Sequence, residues 1–154
     1  MADAKLAPGL PDWMVEHARR YIASGGTEGH IYEMTQPGRP QIRVPSLLLT
    51  TTGRKSGEKY IFPLFYGETG DGGYIIVASK GGAPKHPQWY LNLQANPEVE
   101  VQVGTRKTKA RARTVSGAER ARLWQEALKF WPPYADYQQK TEREIPVVVL
   151  EPVQ

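Results

Sequence analysis

The stretch IRVPSLLLTTTGRKSGEKYIFPLFYGETGDGGYIIVASKGG, residues 42–82, decides the fold class of this chain. Apolar and β-branched runs over residues 42–50, 60–67 and 74–78 are separated by short, glycine-rich turns, a pattern typical of consecutive antiparallel strands. Pro63 lies inside the second run and has no backbone N–H to donate, so we expect an edge or a bulge there. The stretch therefore predicts a β-meander.

The rest of the chain adds strands and helices to this meander. Val99, Val101 and Val103 alternate with polar residues, which indicates a half-buried strand, and a basic strand follows over residues 106–113. A last strand is expected over Ile145–Leu150. About six strands and four helices without strand–helix–strand alternation predict a mainly β fold, a small, mostly antiparallel barrel with helices packed outside.

Capping residues mark the ends of the predicted helices. Asp12 is placed to cap a helix over residues 13–24. A short helix is expected over residues 88–94, after a proline that suits a first helical turn. Ser116 and Glu119 have the spacing of a capping box, which predicts reciprocal hydrogen bonds at the start of a third helix.

The length and hydropathy of the chain bound its organisation. Its 154 residues are 40% hydrophobic, enough for one core, so we expect one domain over residues 1–154. Residues 1–25 are expected to form an N-terminal segment with an amphipathic helix, and residues 42–154 the barrel. The apolar side of that helix, which includes Trp13, packs on the barrel in the favoured interpretation and contacts a membrane surface in the alternative. Because no apolar run is long enough to span a membrane, we expect a cytoplasmic protein, or in that alternative one peripheral to the inner face of the cell membrane.

Composition argues against a metal site and a nucleic-acid partner. The chain has no cysteine, and its three histidines are too far apart in sequence for a metal-ligand motif. Basic residues cluster between Arg106 and Arg113 with no acid among them, but no recognition helix or paired aromatic motif accompanies them. We therefore expect a solvent-exposed basic face, no metal and no bound nucleic acid.

Two cationic glycine loops each follow a strand of the meander. They are GRKSG at residues 53–57 and SKGG at residues 79–82. Their amides, hydroxyls and positive charges suit an anionic, phosphate-bearing ligand. Neither has the spacing of a nucleotide-binding loop, and each alone is compatible with an ordinary turn. Together they indicate a phosphorylated cofactor.

These loops and the stretches around them resemble the deazaflavin-dependent nitroreductase family, whose members bind coenzyme F420 in a split β-barrel. The matching stretches are LLLTTTGRKSG (47–57), Pro63-Leu64, VASKGGAPKHPQWYLNLQANPEVEVQVG (77–104) and PPYADYQQKTEREIPVVVLEP (132–152). They cover most of the chain after Ile42. The resemblance implies a split β-barrel and coenzyme F420, with its reduced form F420H2 as hydride donor and no metal.

The resemblance also implies the cofactor contacts. The phosphate and glutamate tail are expected near Arg54, Lys55 and Ser56, and the deazaflavin ring over Pro63 and Leu64. The full set of implied cofactor-binding residues is Thr52, Gly53, Arg54, Lys55, Ser56, Pro63, Leu64, Ala78, Ser79, Lys80, Gly81, Pro87, Trp89 and Asn92. For Trp89, core filling is an equally good interpretation.

The family transfers a hydride from F420H2 to an electron-poor acceptor, which can be an activated enone, a quinone or a nitroaromatic ring. The resemblance therefore implies an F420H2-dependent oxidoreductase acting on a small hydrophobic acceptor. Ser79, Tyr134 and Tyr137 are the expected catalytic donors to the acceptor oxygen, with Tyr137 delivering the proton. Trp131 joins the two tyrosines in the substrate pocket, where its indole favours a flat, apolar acceptor. Packing against the barrel is the alternative role of both tyrosines.

Two other functions stay open at the level of sequence. A protein with these loops could carry F420 or a lipid without turnover, and a split-barrel protein could use FMN as a redox cofactor instead. Tight F420 binding without acceptor reduction would indicate the first, and release of FMN from a yellow protein the second. The oligomeric state is not indicated by the sequence.

Overall fold

The computed structural model describes residues 4–34, 37–38 and 42–153 of the chain. The strands are β1 (Lys5–Leu6), β2 (Ile31–Met34), β3 (Ile42–Thr52), β4 (Lys59–Phe65), β5 (Gly67–Glu68), β6 (Tyr74–Val77), β7 (Glu98–Val103), β8 (Arg106–Thr114) and β9 (Val147–Pro152). The helices are α1 (Asp12–Ala23), α2 (Gln88–Ala95), α3 (Gly117–Phe130) and α4 (Tyr134–Gln139), and a 3-10 turn covers Lys80–Gly82.

The strands pair into one sheet in the order β1–β4–β3–β7–β8–β9–β6–β5, with β2 added alongside β3. All of these pairings are antiparallel except the one between β1 and β4. Within the described residues β1 and β5, the two ends of this order, do not pair with each other, so the sheet is not closed. The predicted class, a mainly β split-barrel-like fold with helices packed outside, is confirmed.

Three short strands were not among the six predicted. β1 and β5 have two residues each and β2 has four, too few for an alternating pattern to be recognised in the sequence. β1 pairs with β4 only at Tyr60 and Ile61, so Pro63 lies where β4 has a single described neighbour, and the predicted edge is confirmed. Residues 1–3 of the predicted N-terminal segment and residue 154 of the predicted barrel lie outside the described residues.

Two predicted helix caps are wrong in detail. Pro11 occupies the N-cap of α1, and Asp12 lies in the first turn, where its charge still favours the positive end of the helix dipole. Ser116 is the N-cap of α3, as predicted, but makes no capping hydrogen bond with its side chain. Glu119 instead accepts two hydrogen bonds from the Arg113 guanidinium, at 2.7 and 3.0 Å, because a cation competes better for a carboxylate than a backbone amide does.

The main core lies between one face of the sheet and α2. Alternation along the strands supplies Leu47, Leu49, Val99, Val101, Ala110, Ala112, Val148 and Leu150, and α2 adds Trp89, Tyr90 and Leu93. The opposite face of β8 carries the exposed basic residues, as predicted. None of the described helices is long and apolar enough to cross a membrane.

Tyr21 fastens α1 to the sheet. Its side chain is fully buried. Its hydroxyl donates to the Ser46 carbonyl at 3.0 Å and accepts from the Gly104 N–H at 2.7 Å. Just after the helix, Gly26 has φ +98°, and a Cβ there would lie 1.7 Å from the Gly104 carbonyl oxygen. Only glycine allows this approach, so the end of α1 is held against the β7–β8 turn.

We expect Tyr21→Phe to lower the free energy of unfolding by about 1–3 kcal/mol, because it leaves the Gly104 amide and the Ser46 carbonyl buried without this partner. Urea denaturation measures the change. Tyr74→Phe is the control, since the Tyr74 hydroxyl has no hydrogen bond in the part of the chain that the structure describes. Equal stability of the two variants would contradict the assignment.

Candidate functional site

A cavity of about 660 Å³ lies between the N-terminal segment, β4, the loop after β6, the start of α2 and α4. The predicted site residues on its wall are Pro63, Leu64, Ser79, Lys80, Gly81, Pro87, Trp89, Trp131, Tyr134 and Tyr137. Its other wall residues are Pro8, Gly9, Leu10, Pro11, Trp13, Met14, His17, Ser46, Phe62, Phe65, Val77 and Gln88. Trp89 is both a core residue and part of this wall.

The remaining predicted cofactor residues are not on the wall of the cavity. They are Thr52, Gly53, Arg54, Lys55, Ser56, Ala78 and Asn92. Arg54 connects the GRKSG turn to α2, because its guanidinium donates to Asn92 Oδ1 and to Gln88 Oε1, both at 2.9 Å. Gln88 lines the cavity, so the Arg54 cation lies next to its edge. Lys55 and Ser56 are exposed on the same turn.

Asn92 is the buried anchor of this connection. Its Oδ1 accepts from the Arg54 guanidinium, and its Nδ2 donates to Thr51 Oγ1 at 3.1 Å. Asn92 is 4% exposed, so both ends of its amide are used inside the protein. The structure therefore gives Asn92 the role of holding the turn against α2.

The SKGG loop has an unusual backbone. Lys80, Gly81 and Gly82 have φ values of +47°, +64° and +84°. Among the described residues, Lys80 is the only one other than glycine with a positive φ. Ser79 is in the right-handed region, and a right-handed residue followed by a left-handed one forms a concave group of N–H donors that suits an anion. The Lys80 side chain adds a positive charge on the same wall of the cavity.

Gly82 brings this loop into contact with α4. A Cβ on Gly82 would lie 2.7 Å from the carbonyl oxygen of Tyr137, so only glycine permits the packing. The Tyr137 hydroxyl accepts a hydrogen bond from Trp131 Nε1 at 3.3 Å. Tyr134 is 5% exposed, and burial raises the pKa of its phenol well above the usual range, so this hydroxyl stays protonated at neutral pH.

Residues of the N-terminal segment complete the cavity, which the sequence pattern did not indicate. The Trp13 ring stacks on Phe65 with centroids 6.4 Å apart, and Phe65 packs on Trp131 at 4.8 Å. His17 Nε2 donates to the Gly29 carbonyl at 2.7 Å, and burial lowers the pKa of His17, which favours the neutral ring. This side of the cavity is aromatic and uncharged.

Arg143 is the other important residue that the sequence did not reveal. Its guanidinium donates to the carbonyls of Ser79 at 2.8 Å, Ala83 at 2.9 Å and Ala78 at 3.2 Å. These partners are backbone groups some sixty residues earlier, so no side-chain motif announces them. No group of three or more histidines and acids close enough to hold a metal ion occurs among residues 4–34, 37–38 and 42–153.

An open, mainly β sheet with a cationic, donor-rich loop and an aromatic surface on the same cavity defines a split-barrel-like protein with a small-molecule cavity. The family model of the F420H2-dependent quinone reductases matches residues 13–152. The chain belongs to this family, and it is an F420H2-dependent oxidoreductase with coenzyme F420 as its hydride donor.

Relatives and solved structures agree with this assignment. An F420H2-dependent quinone reductase of Mycobacterium tuberculosis is 46% identical over 137 residues, which are 87% of this chain and 86% of that protein. A solved F420-H2 dependent reductase is 51% identical, with 70% of this chain and 94% of that one covered and a TM-score of 0.65. A structure described as a domain-swapped dimer is 44% identical, with 91% and 98% covered and a TM-score of 0.67.

The residues present fit coenzyme F420. Pro63, Leu64 and Trp89 give one part of the cavity the apolar surface that a flat ring system requires. Lys80, with the N–H donors of its loop, and Arg54 at the edge supply the charges that a phosphate and carboxylates require. The apolar residues and Lys80 line the same cavity, and Arg54 lies at its edge.

We expect Gly82→Ala to destabilise the protein by at least about 1 kcal/mol more than Gly81→Ala. Both positions have positive φ and share the backbone penalty of a left-handed alanine. Gly81 has no atom within 4 Å of an added Cβ, whereas Gly82 has the Tyr137 backbone there. Chemical denaturation of the two variants measures the difference, and equal losses would show that the contact between the loop and α4 is not tight.

Proposed function

We propose that this protein reduces quinone-type acceptors with F420H2 in the cavity described above. The observation that carries the proposal is the division of the cavity wall, with a cationic, donor-rich loop at Lys80 and an aromatic surface at Trp13, Phe65 and Trp131. A cofactor with an anionic tail suits the first surface. A flat, apolar acceptor suits the second.

The cofactor would be held by residues of both glycine loops. Lys80 and the amides of its loop would bind anionic groups, Arg54, Lys55 and Ser56 would meet the tail, and Pro63 and Leu64 would support the ring. Thr52, Gly53 and Asn92 would shape the turn, while Ala78, Gly81, Pro87 and Trp89 would complete the ring side. When bound, F420H2 supplies a hydride from C5 of its ring. Burial of the acceptor against α1 would exclude water from that transfer.

The acceptor oxygen, which becomes negatively charged as the acceptor is reduced, requires hydrogen-bond donors. Tyr137 is the proposed proton donor. Because its oxygen accepts from Trp131 Nε1, its own hydrogen is free for an acceptor in the cavity. Tyr134, kept protonated by burial, and the Ser79 hydroxyl are the proposed additional donors.

We expect the protein to bind F420 and to oxidise F420H2 with menadione, measured by F420 fluorescence and absorbance. Tyr137→Phe should lower kcat by about a hundredfold, the usual scale for loss of a general acid, and leave the Kd for F420 unchanged. Tyr32→Phe is the control, because it removes the hydroxyl of a tyrosine that packs beside Trp13 but does not itself line the cavity.

The carrier alternative gives a distinct result in this assay. F420 binding without oxidation across quinones, enones and nitroaromatics would indicate a carrier. A wild-type protein that does not bind F420 would contradict the proposal altogether. An unchanged kcat in Tyr137→Phe would remove only the proton-donor assignment.

We also propose that the protein is cytoplasmic and contacts the inner membrane face through the rim of the cavity at Trp13. Trp13 is 46% exposed and borders the cavity. Ile22, 41% exposed, is nine residues further along α1, on the opposite side of the helix at 3.6 residues per turn. A membrane surface could therefore contact one of them but not both.

Co-sedimentation with vesicles of phosphatidylcholine and phosphatidylglycerol tests this contact. Wild-type protein and Ile22→Ala should bind to a similar extent, and Trp13→Ala should bind several-fold less, since interfacial tryptophans anchor to the headgroup region. Equal binding of the two variants, or no binding of the wild type, would contradict the proposal.

A further inference from the structure

The loop after β6 contains backbone carbonyls that no neighbouring strand satisfies. The chain leaves β6 at Val77 and turns through left-handed residues, and the Ala78 amide still pairs with Pro146 at 2.9 Å. The carbonyls of Ala78, Ser79 and Ala83 receive their side-chain donors from a single residue, Arg143, and the Ser79 carbonyl also accepts from the Gly82 N–H at 2.9 Å. Buried carbonyls without donors are costly.

The Arg143 guanidinium satisfies these carbonyls with all three of its nitrogens. Nη2 donates to Ser79, Nε to Ala83, and Nη1 to Ala78 and also to His86 Nδ1 at 3.1 Å. A planar guanidinium has a fixed fork of donors, so these bonds constrain the path of the loop in three directions. A lysine ammonium, a single donor centre, cannot reproduce this arrangement.

The backbone of Arg143 is tied in turn to α4. Gln138 Nε2 donates to the Arg143 carbonyl at 2.8 Å, and Gln138 Oε1 accepts from the Ile145 N–H at 2.9 Å. One residue thus connects the helix that carries Tyr134 and Tyr137 to the loop that carries Ser79 and Lys80.

We propose that Arg143 is a positioning residue, which holds the SKGG loop against α4. The cofactor side and the acceptor side of the cavity then keep a fixed distance and orientation relative to each other. The expected effect of Arg143 on F420 binding and turnover rests on the proposed function. Its effect on the rigidity of the loop does not. Arg143 is not on the cavity wall, so its effect on binding or turnover is transmitted through the loop.

His86 makes this clamp sensitive to pH. Its Nδ1 can accept from Arg143 only while the ring is neutral with its hydrogen on Nε2. The groups described in contact with His86 are Arg143 and the Tyr90 ring, with centroids 4.9 Å apart, and its chain neighbour Lys85 is exposed. Burial and the neighbouring Arg143 cation lower the pKa of His86 below its usual value. Protonation would put a second cation against the guanidinium, so the loop should loosen as the pH falls through that lowered pKa.

Amide hydrogen exchange tests the clamp without a functional assay. The Gly82 and Ala83 amides donate within the loop to the carbonyls of Ser79 and Lys80. In Arg143→Lys we expect both amides to exchange at least tenfold faster than in the wild type. The Val115 amide, which pairs with Val147, should exchange at an unchanged rate and serves as the internal reference.

Arg120→Lys is the matched control variant. The Arg120 side chain is 17% exposed and, like that of Arg143, donates to a backbone carbonyl, that of Ile145 at 2.7 Å, but it does not contact the loop. Arg143→Lys should raise the Kd for F420 about tenfold and lower kcat by at least that factor, whereas Arg120→Lys should leave both unchanged even if its melting temperature falls equally.

The outcomes separate this proposal from the proposed function. Faster exchange at Gly82 and Ala83 with no F420 binding by the wild type would support the clamp and contradict the function. Unchanged exchange and an unchanged Kd in Arg143→Lys would overturn the clamp while leaving the function standing.

The pH dependence provides a test that keeps Arg143 in place. In the wild type, exchange at Gly82 and Ala83 relative to Val115 should increase between pH 7 and pH 5. In His86→Asn, whose side-chain oxygen can accept at the Nδ1 position without titrating, the ratio should stay constant. A ratio that is constant in the wild type, or that changes equally in both proteins, would overturn the role of His86.

Discussion

Backbone carbonyls that leave a sheet must still find donors, and this requirement shapes the whole candidate site. After β6 the chain turns through Lys80, Gly81 and Gly82 with positive φ, which removes it from the strand ladder. The Arg143 guanidinium donates to the carbonyls of Ser79 and Ala83 in this turn. The left-handed turn that presents amides and a lysine to the cavity can persist because an arginine from another part of the chain compensates for the lost ladder.

The same constraint joins two kinds of chemistry in one cavity. Gly82 packs against the Tyr137 backbone, so the cationic loop and the tyrosine-bearing helix cannot move independently. The aromatic wall from α1 then closes the other side, because Tyr21 and Gly26 hold that helix on the sheet. Hydride transfer needs donor and acceptor in fixed contact, and these tertiary contacts are the ones that provide such rigidity.

The sequence predicted the parts of this structure that rest on local patterns. Alternating residues in β7 and β8 predicted these strands, and the glycines after α1 predicted the end of that helix, to within a few residues. Residues of the SKGG loop and both tyrosines, which the family resemblance indicated, line the cavity, whereas the GRKSG loop does not. The sequence did not reveal the Arg143 bonds, because their partners are backbone groups some sixty residues earlier. Nor did it reveal that His17 lines the cavity, because that depends on how α1 packs on the sheet. The predicted capping box did not form, because Arg113 at the end of β8 binds the Glu119 carboxylate instead.

A structure of the protein with coenzyme F420 bound is the decisive measurement for the proposed cofactor and acceptor sites. We expect the ring beside Pro63, Leu64 and Trp89, the anionic tail toward Lys80 and the Arg54 turn, and the open face of the ring toward Tyr137. A ring bound outside this cavity, for example over the basic face of β8, or one whose C5 faces away from Tyr137, would contradict these assignments.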